Sequence, residues 1–434
     1  MFPRRRYYDF ILLKNQKTNL EEIQKFQNKH LRMLIRHAYK YVPFYHKIFN
    51  KNKINPDSIK TVGDLKKIPI INKQDFLKNS PSSIISKKIN VDKCHYESTS
   101  GTTGQPFRFF INDKMSDLVG ASFVRMFLNT GVKFSDKLVF FEERPRKKTF
   151  FERIGIWRHF WIPYEPNVEK MVIEIERINP NFIFGYPSII HSILQEKKDK
   201  NLRISPTKIC SAGEVLTDVF RKDFEIFFES EVYDVYGLAE AVNPVATECS
   251  CHNGLHMASD TSFIEFVDED GESVGKNEDG RIILTNLFNY AMPFIRYDTG
   301  DVGSLIDFKC ECGIKFPLME HPKGRKQNSF IMPSGREINT ITLENFLVNN
   351  CIEYDNARKS WEIQQYQLIQ KRKNLIKIRF VKGINFSKNT INKIKMKLKN
   401  FFREDIQFDF EDVDEIKRSS SGKLSPIISE LSSK

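Results

Sequence analysis

No stretch of this 434-residue chain approaches the roughly 20 consecutive apolar residues that a membrane-spanning helix needs. The start, Met1-Phe2-Pro3-Arg4-Arg5-Arg6, is basic, but the apolar piece after it is short and broken by Asp9 and Lys14. A secretory signal is therefore not expected, and a cytoplasmic location is. Cysteine is sparse at seven residues, and four of these fall in two Cys-x-Cys pairs, which argues against the disulfide framework of a secreted domain. Internal repeats and low-complexity tracts are absent. Acidic residues are the minority, 55 against 68 Lys and Arg. A net charge of +13 suits anionic partners such as nucleotide or pyrophosphate. The excess is mostly lysine spread along the chain with no nucleic-acid-binding motif beside it, so nucleic acid is not expected as a partner.

What is present describes a globular protein of two or three domains, with 40% apolar and 28% charged residues. Residues 20–40 carry Ile23, Phe26, Leu31, Leu34, Ile35 and Ala38 at helical spacing, and Val42-Pro43-Phe44-Tyr45 ends that helix. Between 115 and 300 short apolar strands (137–141, 182–184, 208–211) alternate with helical stretches (188–197, 218–228). That alternation predicts an α/β fold with layered sheets. Beyond about residue 324 the texture changes to paired strands at 361–369 and 375–381, a basic amphipathic helix at 388–402 and a strand at 407–415. The expected organisation is a large multi-sheet domain over 1–324 and a small α+β domain over 325–434.

Five segments carry chemistry. Ser98-Thr99-Ser100-Gly101-Thr102-Thr103-Gly104 packs five hydroxyls and two glycines into seven residues. Consecutive N–H groups and hydroxyls of this kind can cradle phosphate oxygens, yet no Gly-Lys-Ser/Thr follows, so it is not a Walker loop. Ser211-Ala212-Gly213-Glu214 offers small residues that let backbone approach a flat base. Tyr236-Gly237-Leu238-Ala239-Glu240 offers an aromatic face and, four residues on, a carboxylate for Mg²⁺. Arg296-Tyr297-Asp298-Thr299-Gly300-Asp301 sets carboxylates beside a glycine, and Ser419-Ser420-Ser421-Gly422-Lys423 puts a lysine on a tether.

In this order the segments resemble the adenylate-forming superfamily of acyl-CoA ligases, adenylation domains and luciferases. The match is closer to its phenylacetate-CoA ligase branch, and within that to the CapK-like proteins of bacterial capsule and surface-polysaccharide gene clusters. It spans roughly residues 30 to 425, opening on the segment Leu31–Tyr45 and including Phe184-Gly185-Tyr186-Pro187-Ser188. The resemblance implies that residues 98–104 hold the ATP phosphates, and that Ser211, Gly213 and Glu214 border adenine. It further implies that Tyr236 and Gly237 flank the base, Glu240 attends Mg²⁺ and Asp301 binds ribose. Arg325 would mark a hinge, Lys423 would serve adenylation, and Gly185, Tyr186, Pro187 and Ser188 would lie beside the acyl pocket. The implied activity is AMP-forming activation of a small carboxylic acid, with transfer to CoA or to an amine. Two other outcomes are a nucleotidyl transferase of the same fold that leaves AMP on its product, and a catalytically inactive scaffold. Three positions depart from the pattern: Phe107 where many members have Lys, Ala239 where Ser or Thr is usual, and Gln327 at the hinge.

A second constellation is Cys249-Ser250-Cys251-His252-Asn253-Gly254-Leu255-His256 with Cys310-Glu311-Cys312-Gly313. Paired soft ligands in two segments suit tetrahedral zinc. The CapK-like pattern favours Cys249, His256, Cys310 and Cys312, with Cys251 or His252 as substitutes, and a structural role.

Overall fold

Apolar residues three and four apart bury one face of the helix Leu20–Tyr41, where Ile23, Leu31, Leu34, Ile35 and Ala38 lose their exposure to water. Asn19 caps its start by accepting the Glu22 N–H. Val42 and Pro43 end that helix as the sequence predicts, but Pro43 also begins the next, Pro43–Lys51, because a first-turn proline forfeits no helical hydrogen bond. The computed structural model describes residues 2–98, 107–141, 153–163, 168–200, 202–324, 329–338, 340–351, 354–355, 360–383, 385–418 and 424–431. The chain divides into two compact units, residues 1–131 with 234–322 and residues 132–233 with 323–434.

In the first unit, buried Leu34, Tyr45, Phe49, Phe76, Phe109 and Phe294 belong to one core. His95–Ser98 pairs antiparallel with Arg108–Ile111, Ser98 standing opposite Arg108. Ser262–Val267, Gly280–Asn286 and Tyr297–Gly303 form an antiparallel sheet. Ala246–Glu248 pairs with the end of Glu231–Tyr236 on one side and with Leu255–Met257 on the other. Leu318–Met319 then adds to Leu255–Met257.

The second unit holds parallel strands in the order Arg158–Ile162, Lys137–Phe141, Phe182–Gly185, Lys208–Ala212. Their near-continuous apolar runs fit strands covered on both faces. The helices Val168–Ile178, Pro187–Lys200 and Asp218–Phe227 contribute Val172, Ile190, Leu194 and Phe224 to their core. Farther on, Ile363–Arg372 and Leu375–Lys382 form a hairpin, with Gln407–Asp412 parallel to the second strand. A strand the sequence does not announce, Ile427–Ser429, runs parallel to the first. Three residues in a serine-rich tail carry too little periodicity to be read locally. The architecture is mixed α/β with several sheets, as the sequence leads one to expect. Among the described residues no helix is long and apolar enough to cross a membrane.

Candidate functional site

Tyr236 ends the strand Glu231–Tyr236, and Gly237 follows it directly. A Cβ at Gly237 would stand 2.5 Å from Asn243 Oδ1, so a larger residue there would displace the Asn243 side chain. Tyr236 is buried, and burial followed by the charge of Asp301 pushes its phenol well above the usual range. It keeps its proton and donates to Asp301 Oδ2 at 2.8 Å.

Asp301 reaches that position through an irregular strand. Arg281 pairs with Val302 and Ile283 with Asp298, so residues 299–301 bulge opposite Ile282. Gly300 supplies the positive φ, 77°, that the bulge requires. Thr299 Oγ1 donates to the Ile282 carbonyl and accepts the Asp301 N–H. Glu240 is buried nearby in the same unit, accepting the Tyr297 hydroxyl at 3.2 Å while its carbonyl accepts Asn286 Nδ2 at 2.8 Å. Tyr236 with Asp301 and Tyr297 with Glu240 are thus two buried hydrogen-bonded pairs, and the charge of Glu240 reaches Tyr236. A carboxylate such as Glu240 is the ligand type that a hard cation such as Mg²⁺ takes.

In the second unit, Gly185 and Ser211 are paired neighbours at the carboxyl ends of adjacent parallel strands, the end at which open α/β sheets bind ligands. A Cβ on Gly185 would lie 2.7 Å from the Phe141 ring. Pro187 begins the helix Pro187–Lys200, and Tyr186 packs partly buried on the core beneath it. Ser211 is fully buried and its hydroxyl has no hydrogen-bond partner among the described residues. Gly213 has φ of 79°. Glu214 accepts the Ser188 N–H on Oε2 at 3.1 Å and the Leu424 N–H on Oε1 at 2.8 Å.

Half-buried Glu344, in the helix Thr340–Asn350, is pushed up to about 8, first by desolvation and then by the charge of Glu214. Tyr366 and Cys351 stand in the same neighbourhood. Because the folded pKa exceeds the ordinary value of 4.5, this group's stabilising contribution is complete below pH 4.5 and is lost as pH rises through about 8. Glu344→Gln should match the wild-type melting temperature near pH 5 and exceed it by a few degrees at pH 8.5. Parallel melting curves across that range would remove the assignment.

Four ligand atoms of Cys249, His256, Cys310 and Cys312 all lie within 4.8 Å of one another. Cys249 Sγ is 3.5 Å from Cys310 Sγ, and Cys312 Sγ is 3.2 Å from His256 Nε2. His256 Nδ1 lies 3.1 Å from the Phe316 carbonyl, which holds the proton there and leaves Nε2 as the ligating nitrogen. Burial lowers the His256 pKa, favouring the neutral ring a metal needs. Three sulfurs and one imidazole fit zinc. Gly254 permits the arrangement: at φ of 111° its Cβ would meet Met319 O at 2.9 Å, and its openness lets Leu255–Met257 pair with Leu318–Met319. Cys251 is not one of these four, although its thiol interacts with those of Cys310 and Cys249, and His252 Nδ1 lies 3.3 Å from Glu248 Oε1.

Thr99, Ser100, Gly101, Thr102, Thr103, Gly104, Arg325, Gln327 and Lys423 lie outside the described residues, while Ser98 ends the strand His95–Ser98. Motif reading passed over Asp234, His321 and Arg418. Asp234 Oδ2 meets His321 Nδ1 at 2.7 Å, two residues before Tyr236, and Glu248 accepts the Asp234 N–H. Nothing local marks that pairing, since a lone histidine in a loop has no pattern. Arg418 donates to Ser188 Oγ at 2.7 Å. Its one signal is its place five residues before Lys423.

Residues 335–430 match the family model of the CapK C-terminal domain. The phenylacetate-coenzyme A ligase of Aromatoleum evansii is 27% identical over 305 residues, 67% of this chain and 68% of that protein. Protein CapK of Staphylococcus aureus is 25% identical across 96% of this chain and 91% of its own length. A 2-hydroxyisobutyryl-CoA ligase structure in the postadenylation state, in complex with R3-HIB-AMP, superposes with a TM-score of 0.78 at 15% identity, covering 96% of this chain and 91% of that one. An anthranilate CoA ligase in complex with anthranoyl-AMP gives 0.55 at 14% identity over 85% and 74%. At these identities the structural likeness establishes the fold.

Proposed function

We propose that the chain is a member of the adenylate-forming superfamily, in the branch of phenylacetate-coenzyme A ligases and CapK-like proteins, and that it activates a carboxylic acid with ATP and passes the acyl group to a thiol or an amine. The observation that carries the reading is the 2.8 Å hydrogen bond from Tyr236 to Asp301. It joins a ring suited to stacking on a base to a carboxylate suited to accepting ribose hydroxyls.

A carboxylate acylates poorly because its leaving group would be oxide. Attack of a carboxylate oxygen on the α-phosphorus of ATP forms an O–P bond as the bond to pyrophosphate breaks. The resulting acyl-adenylate loses AMP when the acceptor's lone pair attacks the acyl carbon, the acceptor's proton passing to solvent. The first step brings two anions together, so cationic stabilisation decides its rate.

Residues 98–104 would cradle the departing pyrophosphate, Ser211 and Gly213 would border adenine, and Gly185, Tyr186, Pro187 and Ser188 the acyl group. Mg²⁺, which Glu240 would attend, supplies positive charge to the phosphates when bound. Lys423 would supply the rest from the domain proposed over 325–434, with Arg325 at its hinge. Zinc on Cys249, His256, Cys310 and Cys312 would leave no open coordination position and would act structurally. CoA is the acceptor that likeness to the ligases favours. Likeness to the CapK-like group supports the reading of a role in surface-polysaccharide assembly.

A pyrophosphate-release screen over aryl, fatty, amino and sugar acids, with and without CoA, tests this. One acid class should turn over and give a product free of AMP by mass spectrometry. AMP retained on the product would mark a nucleotidyl transferase instead, and failure to bind ATP an inactive scaffold.

A further inference from the structure

Family likeness assigns Glu214 to the border of the adenine, but both oxygens of its carboxylate are engaged by protein. Oε2 accepts the N–H of Ser188, at the turn into the helix Pro187–Lys200, and Oε1 accepts the N–H of Leu424, 210 residues farther along the chain. Arg418 adds a positive charge beside that carboxylate. Its guanidinium donates to Ser188 Oγ at 2.7 Å, to the Ser188 carbonyl at 3.3 Å and to Ser192 Oγ at 3.4 Å. Three separated stretches of chain converge on one acid. Burial pushes the Glu214 pKa up and the charge of Arg418 partly offsets it, so the junction rests on its hydrogen bonds.

What the junction holds gives it meaning. Leu424 directly follows Lys423, and the residues after it are already fixed. Gln367 Nε2 donates to the Ser425 carbonyl, the Leu368 N–H donates to the Pro426 carbonyl, and Ile427–Ser429 joins the sheet. On the other side the Ile416 N–H donates to Gln365 Oε1. Glu214 and Arg418 therefore hold the two flanks of residues 419–423 against the turn at Ser188.

We propose that Glu214 and Arg418 are a positioning pair that sets the backbone on either side of Lys423, so that Glu214 acts on adenylation through the lysine and not through the nucleotide. This rests on the reading of Lys423 as the adenylating lysine. An alternative contact with adenine would leave the base, not the tail, dependent on Glu214.

The test uses the full chain with Glu214→Gln, alone and combined with Lys423→Ala. Amide hydrogen exchange by mass spectrometry needs no substrate. In Glu214→Gln the Leu424 amide should exchange at least tenfold faster, with the strand Ile363–Arg372 unchanged as the sign of an intact fold. Pyrophosphate release on the acid identified by the screen should fall ten- to hundredfold in kcat, with the KM for ATP within about threefold. The substitution should cost nothing further in the Lys423→Ala background. Arg418→Lys should restore part of what Arg418→Met loses. An unchanged Leu424 amide overturns the pair. So does a raised KM for ATP that persists without Lys423, because that is the signature of an adenine contact. Wild-type protein that turns over no acid would retire the functional reading, while the exchange measurement would still decide whether Glu214 holds the tail.

Discussion

Lys423→Ala should lower acyl-adenylate formation about a hundredfold or more while leaving the protein folded. The reasoning is electrostatic. Attack of a carboxylate on the α-phosphate concentrates negative charge on a pentacoordinate phosphorus, and an ammonium placed there stabilises the transition state more than the ground state. Loss of one such contact costs about 3 kcal/mol, close to a hundredfold in rate. The segment proposed to cradle the phosphates, residues 98–104, is followed by Phe107 after its proline and holds no Gly-Lys-Ser/Thr, so it brings no lysine of its own. Transfer from a preformed acyl-adenylate does not pass through that transition state and should survive the substitution. The two half-reactions measured separately, pyrophosphate exchange for the first and acyl transfer for the second, would expose the split. Undiminished exchange in the variant would take the role away from Lys423.

Loss of the four-residue metal cluster should have the largest effect on stability. Protein purified without chelator should contain about one zinc per chain, and Cys310→Ser should contain almost none. A structural zinc ties its ligands into one unit, and its removal leaves three sulfurs and an imidazole without the centre that organises them. The stretches joined are the turn from Cys249 to His256 and the loop at Cys310 and Cys312. Their loss should destabilise the first unit by several kcal/mol, lowering its melting temperature by about 10 °C. Cys251→Ser should retain the zinc, because Cys251 stands outside the four. A full zinc content in Cys310→Ser, or none in the wild type, would end the proposal.

The two constellations were legible to different depths. Tyr236, Glu240 and Asp301 are recognisable by type and spacing, but the hydrogen bond from Tyr236 to Asp301 is not. It depends on a bulge at residues 299–301 whose register is set by the partner strand. The candidate metal ligands were legible as soft donors in two clusters. That Cys249 and not Cys251 completes the four is a matter of folded geometry, since both thiols interact with Cys310. Arg418 and the strand Ile427–Ser429 carried no local pattern, and both are held by partners far away in sequence.

By itself, then, the sequence determined the α/β class, the order of the candidate nucleotide motifs and the chemical type of each candidate ligand. These depend on periodicity and on residues within a few positions of one another, where chain geometry is local. Tertiary structure alone decided which carboxylates face which donors. Glu214 is the sharpest instance: the family resemblance implies a place beside a base, while nothing in its own neighbourhood announces the hydrogen bond it accepts from the Leu424 backbone. A carboxylate takes the donors that folding brings to it, and those lay 26 and 210 residues away.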